Sequence, residues 1–380
     1  MIQQDELPKH MEALELDRIL RFLKKSKHKA ADGKEHGRYK FFTSSNIQSK
    51  FVDKFDFHGE YLIFGTGGDA SIHYSNDRFS TTADCLVAQV RNPSISTKYI
   101  YYYLIYNIHL LKAGFRGAGL KHISKSYIRR IKIIVPKNNE TQKKIVSVLE
   151  KAELLKQWRR YADELTDDYI RSVFFNMFGD PINNSKKWEK KKLKEFGKIV
   201  TGNTPSRKKP EYYGNYIEWI KSDNINTPDI FLTKSQEMLS KEGAEVGRTV
   251  PKRSVLVTCI AGSLSCIGNA AISNRDVAFN QQINAIVPNE DVDEFFLYFL
   301  ILNSKKYIQN YSTKAMKGMV SKSVFESIPF IFPPSELQRK FGSFSKDFIQ
   351  LREYQEQSKQ QINDLFGVLM QKASSGELVC

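Results

Sequence analysis

The chain contains two diverged copies of one sequence unit. Residues 114–136 (GFRGAGLKHISKSYIRRIKIIVP) recur about half the chain length further on as residues 311–333 (YSTKAMKGMVSKSVFESIPFIFP), with a shared Ser-Lys-Ser run and a shared final Pro. A period of this size indicates two domain-sized copies and not an array of short repeats. Three further pairs of segments match: 41–47 with 219–225, 98–104 with 294–300, and 140–142 with 336–338.

Length and composition fit two folded domains. A chain of 380 residues is long enough for two domains that each bury a core, and its 41% hydrophobic and 12% aromatic content favours folded structure. No apolar run reaches the roughly 18 residues that a membrane span needs, and residues 1–10 lack the apolar core of a signal peptide. We therefore expect a soluble, cytoplasmic protein.

Two segments have the pattern of long helices. Residues 140–177 carry apolar side chains at spacings of three and four without Gly or Pro, and residues 335–371 repeat the apolar spacing. At about 1.5 Å per residue each helix would be roughly 55 Å long, which is more than the core of one domain needs. The two helices are therefore expected to pack against each other.

The order domain, helix, domain, helix predicts how the helices pair. The second helix can run back along the first and end beside the first domain. The domains themselves are expected to be mixed, because residues 61–64, 131–135 and 254–257 are strand-like whereas residues 100–111 and 295–308 are helix-like. The predicted fold class is α+β: two homologous mixed α/β domains separated by two long antiparallel helices in a coiled coil, with a pseudo-two-fold axis. The alternative is that each helix is an ordinary surface helix of its own domain.

The net charge of +16 predicts a polyanionic partner, although basic surfaces also serve solubility. Residues 112–139 hold eight Lys or Arg and no acid, and residues 186–210 hold ten against two acids. Lys and Arg neutralise phosphates, whereas Ser, Asn and Asp can bond to base edges. A solvated face would explain any one cluster, but clusters at repeat-equivalent positions favour nucleic acid. The candidate contact residues are Thr43, Ser44, Ser45, Asn46, Arg116, Lys121, Lys125, Arg207, Lys208, Lys221, Ser222, Asp223, Asn224, Lys314, Lys317 and Lys322.

Motifs for catalysis are missing from the sequence. The run at residues 65–68 lacks the Lys of a phosphate-binding loop, and residues 332–335 (FPPS) lack the final aromatic residue of an amino-methyltransferase tetrapeptide. The cysteines are scattered and show no zinc spacing, and no His has a partner at such spacing. We therefore expect a binding protein without a metal or a catalytic site, although dispersed nuclease carboxylates stay an open alternative. The four cysteines are Cys85, Cys259, Cys266 and Cys380.

In the order of its motifs the chain resembles the specificity subunit of type I restriction-modification enzymes. The resemblance covers nearly the whole chain. It is carried by Trp188 with residues 191–225, by the paired Ser-Lys-Ser segments followed by Ile-x-x-Ile and Pro, by the Glu-x-Gln helix starts, and by FFNMFGDP at residues 174–181. The entry to the first domain matches the second copy poorly, so the sequence does not define where that domain begins.

The resemblance implies a non-catalytic subunit that recognises double-stranded DNA. Target-recognition domains at residues 1–139 and 181–334 would each read one half of a bipartite, asymmetric site, and spacer helices at residues 140–180 and 335–380 would set the gap. The helices would dock two modification subunits that bind S-adenosylmethionine, and restriction subunits that use ATP and Mg would join them. This chain would bind no cofactor. The implied subunit-interface residues are Leu155, Trp158, Leu165, Phe348, Leu351 and Leu365.

Other functions remain open on the sequence alone. The chain could be the specificity partner in another restriction-modification architecture, where one companion chain methylates and cleaves. It could also be a stand-alone DNA-binding protein, a nuclease, or a non-specific scaffold for RNA or single strands. Two diverged domains on a helical spacer suit the reading of two different half-sites better than non-specific binding.

Overall fold

The chain forms two compact units, each built from one sequence copy and parts of both long helices. The computed structural model describes residues 7–313 and 318–378. Unit 1 comprises Met1–Tyr161 with Glu356–Cys380, and unit 2 comprises Ala162–Gln355. The division falls inside both long helices, so the predicted domain limits, which keep each helix separate, stay predictions.

Unit 1 begins with a mixed domain and continues into the first long helix. The strand-like residues 61–64 and 131–135 and the helix-like residues 100–111 are confirmed as such. Its strands and helices are β1 Met11–Glu15, α1 Leu16–Ile19, β2 Leu20–Phe22, β3 Tyr39–Phe42, β4 Lys50–Val52, β5 Phe57–His58, β6 Tyr61–Gly65, β7 Ser71–Ser75, β8 Arg78–Thr81, β9 Cys85–Val90, α2 Thr97–Tyr106, α3 Ile108–Lys112, α4 Lys125–Arg129, β10 Lys132–Pro136 and α5 Asn139–Phe178, the last of which continues into unit 2.

Unit 2 has the same series of elements with a few additions. Residues 254–257 and 295–308 are again strand and helix, as predicted. Its elements are β11 Lys190–Lys192, β12 Gly197–Thr201, β13 Tyr213–Ile220, β14 Met238–Leu239, α6 Lys241–Val246, β15 Thr249–Val250, β16 Val255–Thr258, β17 Ile260–Ala261, β18 Ala270–Ile272, β19 Val277–Phe279, β20 Ile283–Pro288, α7 Glu294–Asn303, α8 Lys305–Gln309, β21 Gly318–Met319, α9 Lys322–Ser327, β22 Pro329–Ile331 and α10 Ser335–Ser375, the last of which continues into unit 1.

The sheets of the two units correspond strand for strand, which confirms the duplication. Unit 1 has sheets of order β2-β9-β6-β7 and β4-β3-β8-β5, and unit 2 has β12-β20-β16-β18 and β14-β13-β19-β15. In the second sheet of each unit the middle pair, β3 with β8 and β13 with β19, is parallel, and the other pairs are antiparallel. A two-stranded pair, β1 with β10 or β11 with β22, leads in each unit to the long helix.

Apolar residues of the long helices complete the core of each unit. In unit 2, the buried rings of Phe174 and Phe178 of α5 pack on Phe296, with ring centroids of Phe178 and Phe296 4.8 Å apart, and both also contact Phe341 of α10. In unit 1 the buried residues Ile145, Leu149 and Ala152 of α5 and Met370 and Ala373 of α10 join the main cluster. The helices are therefore parts of the domain cores and not separate surface helices.

The antiparallel direction of the helices is confirmed by contacts within unit 2. In unit 2, Thr166 accepts a hydrogen bond from Gln355 (2.8 Å), and Tyr169 packs edge to face on Phe344. In unit 1, Lys156 Nζ lies 4.6 Å from the ring centre of Phe366. In unit 2 the residue number of the contact on α10 falls from 355 to 344 as the number on α5 rises from 166 to 169, so the two helices are antiparallel.

The buried stripe of α5 differs from the predicted one. The apolar spacing predicts that Trp158 and Leu165 face the partner helix, but they are 60% and 50% exposed, and Tyr169 is 58% exposed although its ring packs on Phe344. In the middle of the pair, polar contacts replace apolar ones: Arg352 forms an ion pair with Asp167 (3.2 Å). Burial resumes one position later, at residues 170, 174 and 178, which continues a helical face that the sequence spacing does not distinguish.

A buried glutamine fixes the start of each long helix. Gln142 accepts a hydrogen bond from the backbone N–H of Ser96 (2.8 Å) and donates to the carbonyl oxygen of Pro136 (2.8 Å). At the equivalent position Gln338 accepts from the N–H of Asp293 (3.2 Å) and donates to the carbonyl of Pro333 (2.8 Å). The repeated Glu-x-Gln motif is thus a connection between the long helix, the preceding strand and the start of α2 or α7.

Among the described residues, no helix combines the length and the apolar character that crossing a bilayer requires.

Replacing Gln142 with Ala should lower the free energy of unfolding by about 2–3 kcal/mol, because buried backbone groups at Ser96 and Pro136 would lose their partner. Urea denaturation measures the effect. Gln361→Ala, at an exposed position of α10, is the control and should cost less than about 0.5 kcal/mol. Equal losses in the two variants would contradict the role of Gln142.

Candidate nucleic-acid interface

In unit 1, polar loops meet beside the end of β6. We call loop cluster 1 residues 43–47, 66–68, 82–84 and 115–122. The Ser44 hydroxyl donates to the carbonyl of Asp84 (2.9 Å) and accepts from the N–H of Gly67 (3.4 Å), and Gly68 N–H donates to the carbonyl of Lys121 (3.1 Å). The structure therefore brings together the polar run after β3 and the basic segment, which are far apart in the sequence.

The basic loop of cluster 1 has a defined backbone. Arg116 and His122 exchange backbone hydrogen bonds of 2.9 and 2.8 Å, which close the loop. Gly117 has φ of +137° and a Cβ there would lie 2.7 Å from the Leu120 carbonyl oxygen, so the position requires glycine. The Arg116 guanidinium donates to the Ala113 (2.7 Å) and Phe115 (3.0 Å) carbonyls, whereas Lys121 is exposed. Lys121 is the freer cation of the two.

The hydroxyl groups after β3 mainly hold their own loop. Thr43 accepts a hydrogen bond from the N–H of Ser45 (3.2 Å), and the Ser45 hydroxyl accepts from the N–H of Ile47 (3.1 Å). His73 Nε2 lies 2.7 Å from the Ser45 carbonyl, and burial lowers the pKa of His73, so the neutral imidazole donates this bond. Asn46 is exposed and its side chain makes no hydrogen bond within residues 7–313 and 318–378. Among these residues Asn46 is best placed to contact a base edge.

A cationic cleft of about 480 Å³ lies next to the basic loop. Its polar walls include Lys25, His122, Ser124 and Lys125. The Lys125 Nζ lies 5.2 Å from the ring centre of Phe22, and within residues 7–313 and 318–378 it forms no ion pair. The two lysines give the cleft a positive charge that suits the phosphates of a polyanion.

In unit 2 the equivalent loops meet in the same way. We call loop cluster 2 residues 221–224, 259–266, 280–282 and 318–319. Thr313 N–H donates to the Met319 carbonyl (3.0 Å), as Arg116 does to His122 in unit 1, and Ser222 donates to the Gln282 side chain (3.4 Å). The repeat-equivalent clusters are thus structurally equivalent as well. The predicted contacts Lys314 and Lys317 lie outside the described residues.

Two of the predicted cations in unit 2 share one carboxylate. Glu237 accepts from Lys221 (2.7 Å) and from Arg207 (2.6 Å). The hydrogen bond from Lys221 holds the pKa of Glu237 below its usual value, burial opposes this, and Arg207 adds a further lowering. The Arg207 guanidinium also stacks 4.4 Å from the Tyr213 ring centre. The contacts with Glu237 and Tyr213 therefore fix the orientation of the Arg207 and Lys221 side chains, and the Glu237 carboxylate partly neutralises their positive charge.

The side chains of the remaining candidate residues have fewer contacts within the protein. Lys208, next to Arg207, is exposed. Lys322 lies in the first turn of α9 and forms an ion pair with Glu326 (3.4 Å). Asp223 is exposed after β13. These residues can reach a ligand without rearranging the backbone.

Asn224 does not have the exposed role that the sequence predicts. Its side chain is 7% exposed, its Oδ1 accepts from the N–H of Lys221 (3.0 Å), and its Nδ2 donates to Thr233 (3.3 Å) and to the Lys234 carbonyl (3.1 Å). The amide is therefore occupied within the loop, and Asn224 positions Lys221 and Ser222 without reaching a base. Sequence alignment of the copies equated it with the exposed Asn46, because the repeat preserves residue type and not orientation.

The predicted subunit-interface residues are exposed with one exception. Leu155, Trp158, Leu165, Leu351 and Leu365 are between 41% and 60% exposed. Phe348 is only 4% exposed and lies in the unit 2 core, so it is unavailable to a partner. The face of a helix that looks apolar in sequence contains both core and surface positions, which explains this error.

The described residues include two buried cysteines and no cluster of metal ligands. No group of three or more His, Cys, Asp or Glu there could hold a metal ion. Burial raises the pKa of Cys85 to about 11 and that of Cys259 to about 12, so both thiols stay protonated at neutral pH.

Several features of the loop clusters were not predicted from sequence. Glu237, Lys25 and Gln282 have no local motif, and only the folded chain brings them to the loops. Leu120 and Leu264 are exposed leucines inside loops. An apolar residue among glycines and polar residues, as in GAGLK at residues 117–121, is the signal that would have indicated Leu120.

The family model and the similar proteins found by comparison all belong to the same family. The family model for the type I restriction modification DNA specificity domain matches residues 8–158 and 185–364. The type I restriction enzyme HindI specificity subunit of Haemophilus influenzae is 30% identical over 155 residues, which are 40% of this chain and 33% of that protein. The MjaIX specificity subunit of Methanocaldococcus jannaschii is 27% identical over 185 residues, 47% of this chain and 42% of that protein. The chain thus spans a third to less than half of these two curated relatives.

Other matches cover nearly the whole chain. The MjaVIII specificity subunit of Methanocaldococcus jannaschii is 20% identical over 410 residues, 98% of this chain and 94% of that protein. A crystal structure of a type I restriction-modification system S subunit from M. genitalium has a TM-score of 0.65 at 14% identity and covers 98% of each chain. The structural match shows that the fold is shared.

The structure defines a class of duplicated α+β proteins in which each domain carries a polar, basic loop cluster and runs into a long helix. Because the family model matches most of its length, the chain belongs to the type I restriction modification DNA specificity domain family.

Replacing Asn224 with Ala should lower the free energy of unfolding by about 1–3 kcal/mol, because backbone groups of the loop lose a buried partner. Asn46→Ala, at the repeat-equivalent but exposed position, should change it by less than about 0.5 kcal/mol. Chemical denaturation of both variants gives the comparison. A stable Asn224→Ala variant would show that its amide is dispensable to the loop.

Proposed function

We propose that this chain is the DNA-specificity subunit of a type I restriction-modification complex. The carrying observation is that two topologically equivalent units present equivalent loop clusters with different side chains. Cluster 1 offers Asn46 and Lys121, whereas cluster 2 offers Asp223 and Lys221, and Lys221 shares Glu237 with Arg207. Loop clusters with the same backbone arrangement and different side chains suit a bipartite site in duplex DNA whose two halves differ in sequence.

Phosphate and base contacts are expected from different residues. Lys25, Lys121 and Lys125 surround the cleft and loop of unit 1 and would neutralise phosphates. Asn46 and Asp223 lie exposed in the loops after β3 and β13; the Asn46 amide could donate or accept at a base edge, and the Asp223 carboxylate could accept. DNA bound at unit 2 would also compete with Glu237 for Arg207 and Lys221, which ties binding there to the release of an ion pair.

The long helices are proposed as the docking surface for two modification subunits. Large apolar side chains of α5 and α10, including Trp158, Leu165 and Leu351, stay exposed within their own units. Exposed aromatic residues of this size are typical anchors of protein interfaces. Methyl transfer from S-adenosylmethionine, and the steps that use ATP and Mg, would take place in partner subunits, while this chain supplies recognition and no catalysis.

The direct test is to express the chain with its companion modification subunit and to map adenine methylation across the host genome. A split, asymmetric methylated motif that disappears when this chain is deleted would support the proposal and give both half-sites. An unchanged methylome from an active complex would refute it. A neighbouring chain that both methylates and cleaves would instead indicate the other restriction-modification architecture.

Lys121→Ala should weaken binding to cognate and unrelated duplexes alike and reduce the slope of log K against log salt by about 1, because one phosphate contact is lost. Fluorescence anisotropy at several salt concentrations measures this. Lys151→Ala removes the same charge from an exposed position of α5 and is the control. A loss confined to the cognate sequence would show that Lys121 reads bases.

Asn46→Ala should relax the preference for one half-site by about 1–3 kcal/mol while leaving the salt slope unchanged, because a base contact is lost and no phosphate contact is lost. Anisotropy with duplexes scrambled in either half separates the two effects. A uniform loss on all duplexes would place the reading surface elsewhere.

Trp158→Ala should weaken assembly with the modification subunit by about tenfold or more, as expected for a large aromatic anchor. Gln157→Ala, at the adjacent exposed position, should leave assembly unchanged. Co-purification and analytical ultracentrifugation measure the effect. Normal assembly of the Trp158 variant would exclude this face as the docking surface.

A further inference from the structure

Two exposed leucines lie at the loop clusters, one in each unit. Leu120 in cluster 1 is 74% exposed and Leu264 in cluster 2 is 53% exposed. Single exposed leucines are common on protein surfaces, so exposure alone carries little weight. Their positions relative to the duplicated frame are more informative.

The two leucines lie beside equivalent bridges although they come from different chain segments. In unit 1 the Gly67–His122 bridge joins the turn after β6 to the basic loop, and in unit 2 the β17–β21 pair joins the same two segments through Ala261 and Gly318. A Cβ added at Gly67 would lie 3.8 Å from Leu120 Cδ2, and one at Gly318 would lie 3.8 Å from Leu264 Cδ1.

Simple inheritance from the duplication does not explain this arrangement. Leu120 belongs to the loop before α4, whereas Leu264 belongs to the segment between β17 and β18. In unit 1 the leucine therefore comes from the basic loop, and in unit 2 it comes from the other segment of the bridged pair, which follows β17. The same surface feature arose on each copy by a different route, which favours a role in function over a relic of the ancestral domain.

Both side chains project from well-anchored backbone. The Arg116 to His122 hydrogen bonds and the bond from Gly68 N–H to the Lys121 carbonyl (3.1 Å) hold the loop that carries Leu120. In unit 2, Gln309 Nε2 donates to the carbonyls of Leu264 (2.9 Å) and Ile267 (3.0 Å). A contact made by a side chain on such a frame costs little ordering of the loop when it forms.

The surroundings of Leu120 indicate what would cover it. The segment that carries Leu120, residues 112–139, has eight basic residues and no acid, and Lys121 follows Leu120 directly. An apolar tip within a cationic surface complements duplex DNA, where phosphates flank an apolar base stack. A protein partner would require a broader apolar rim than a lone leucine beside lysines provides.

We propose that Leu120 and Leu264 contact bases in a DNA groove, one leucine in each half-site. The inference rests on the proposed function and adds a specificity-determining residue to each unit. Two forms of apolar contact fit a leucine: packing on the 5-methyl group of thymine in the major groove, and partial insertion at a base step. Both read the base pair and not the backbone.

The test uses the complex of this chain with its modification subunit, and duplexes with both half-sites intact or with one scrambled. Leu120→Ala and Leu264→Ala should each weaken cognate binding by about 5- to 50-fold, while binding to unrelated DNA and the salt slope stay unchanged. Each variant should lose discrimination at a different half-site. Leu120→Met should restore most of the loss, and Ile105→Ala, at an exposed position of α2, is the control.

Modified duplexes then identify the contact. Uracil in place of one thymine should reproduce the loss in the wild type and add nothing in the variant if the methyl group is the partner. A fluorescence rise of 2-aminopurine that the alanine variant lacks would show insertion.

Two outcomes overturn the proposal: unchanged cognate affinity in both variants, or an equal loss on every duplex. A wild-type complex that fails to discriminate cognate from unrelated DNA would refute the proposed function itself, whereas a discriminating wild type with unaffected variants refutes only the role of the leucines. A loss of assembly with the modification subunit would show a protein contact in place of a DNA contact.

Discussion

The hydrogen bonds of two buried glutamines determine how each long helix leaves its domain. Gln142 and Gln338 stand at the third residue of the Glu-x-Gln motif, and each connects its helix to the end of a strand and to the start of α2 or α7. An amide satisfies both a donor and an acceptor at once, which Glu or Leu at this position could not do. The direction of the helix relative to its own sheets follows from this connection, and so does the burial of the first apolar turns.

The helices fulfil two demands with different faces. One face, with Ile145 and Leu149 in unit 1 and Phe174 and Phe341 in unit 2, completes the core of a domain. Another face leaves Trp158 and Leu365 in water. A helix that only spaced two domains would need no such row of exposed apolar groups, because each one forgoes roughly 1.5–3 kcal/mol of burial. A partner protein that covers these apolar side chains would explain why they are exposed on the helices.

Much of this fold could be predicted from the sequence because duplication repeats the signals. The helix limits, the mixed composition of the domains and the equivalence of the loops all follow from matched segments. Side-chain orientation does not follow. Asn46 and Asn224 align in sequence, yet one is exposed and the other is buried, and Phe348 lies in a core although its helical spacing matches exposed neighbours. Contacts such as Glu237 with Arg207 and Lys221 join residues from separate strands and loops, which no local pattern encodes.

The two units differ in when their chain segments become available during synthesis. Unit 2 is continuous, from Ala162 to Gln355, and all its segments exist before the last turns of α10 have been made. Unit 1 is discontinuous: Tyr99 bonds to the carbonyl of Ala373 (3.2 Å), and His10 Nε2 lies 3.0 Å from the carbonyl of Gly376. These contacts join residues that are 274 and 366 positions apart in the sequence. Such contacts form slowly because the intervening chain must lose conformational entropy before the contact stabilises it. Of these two units, the one that is synthesised earlier is therefore the later one to complete its core.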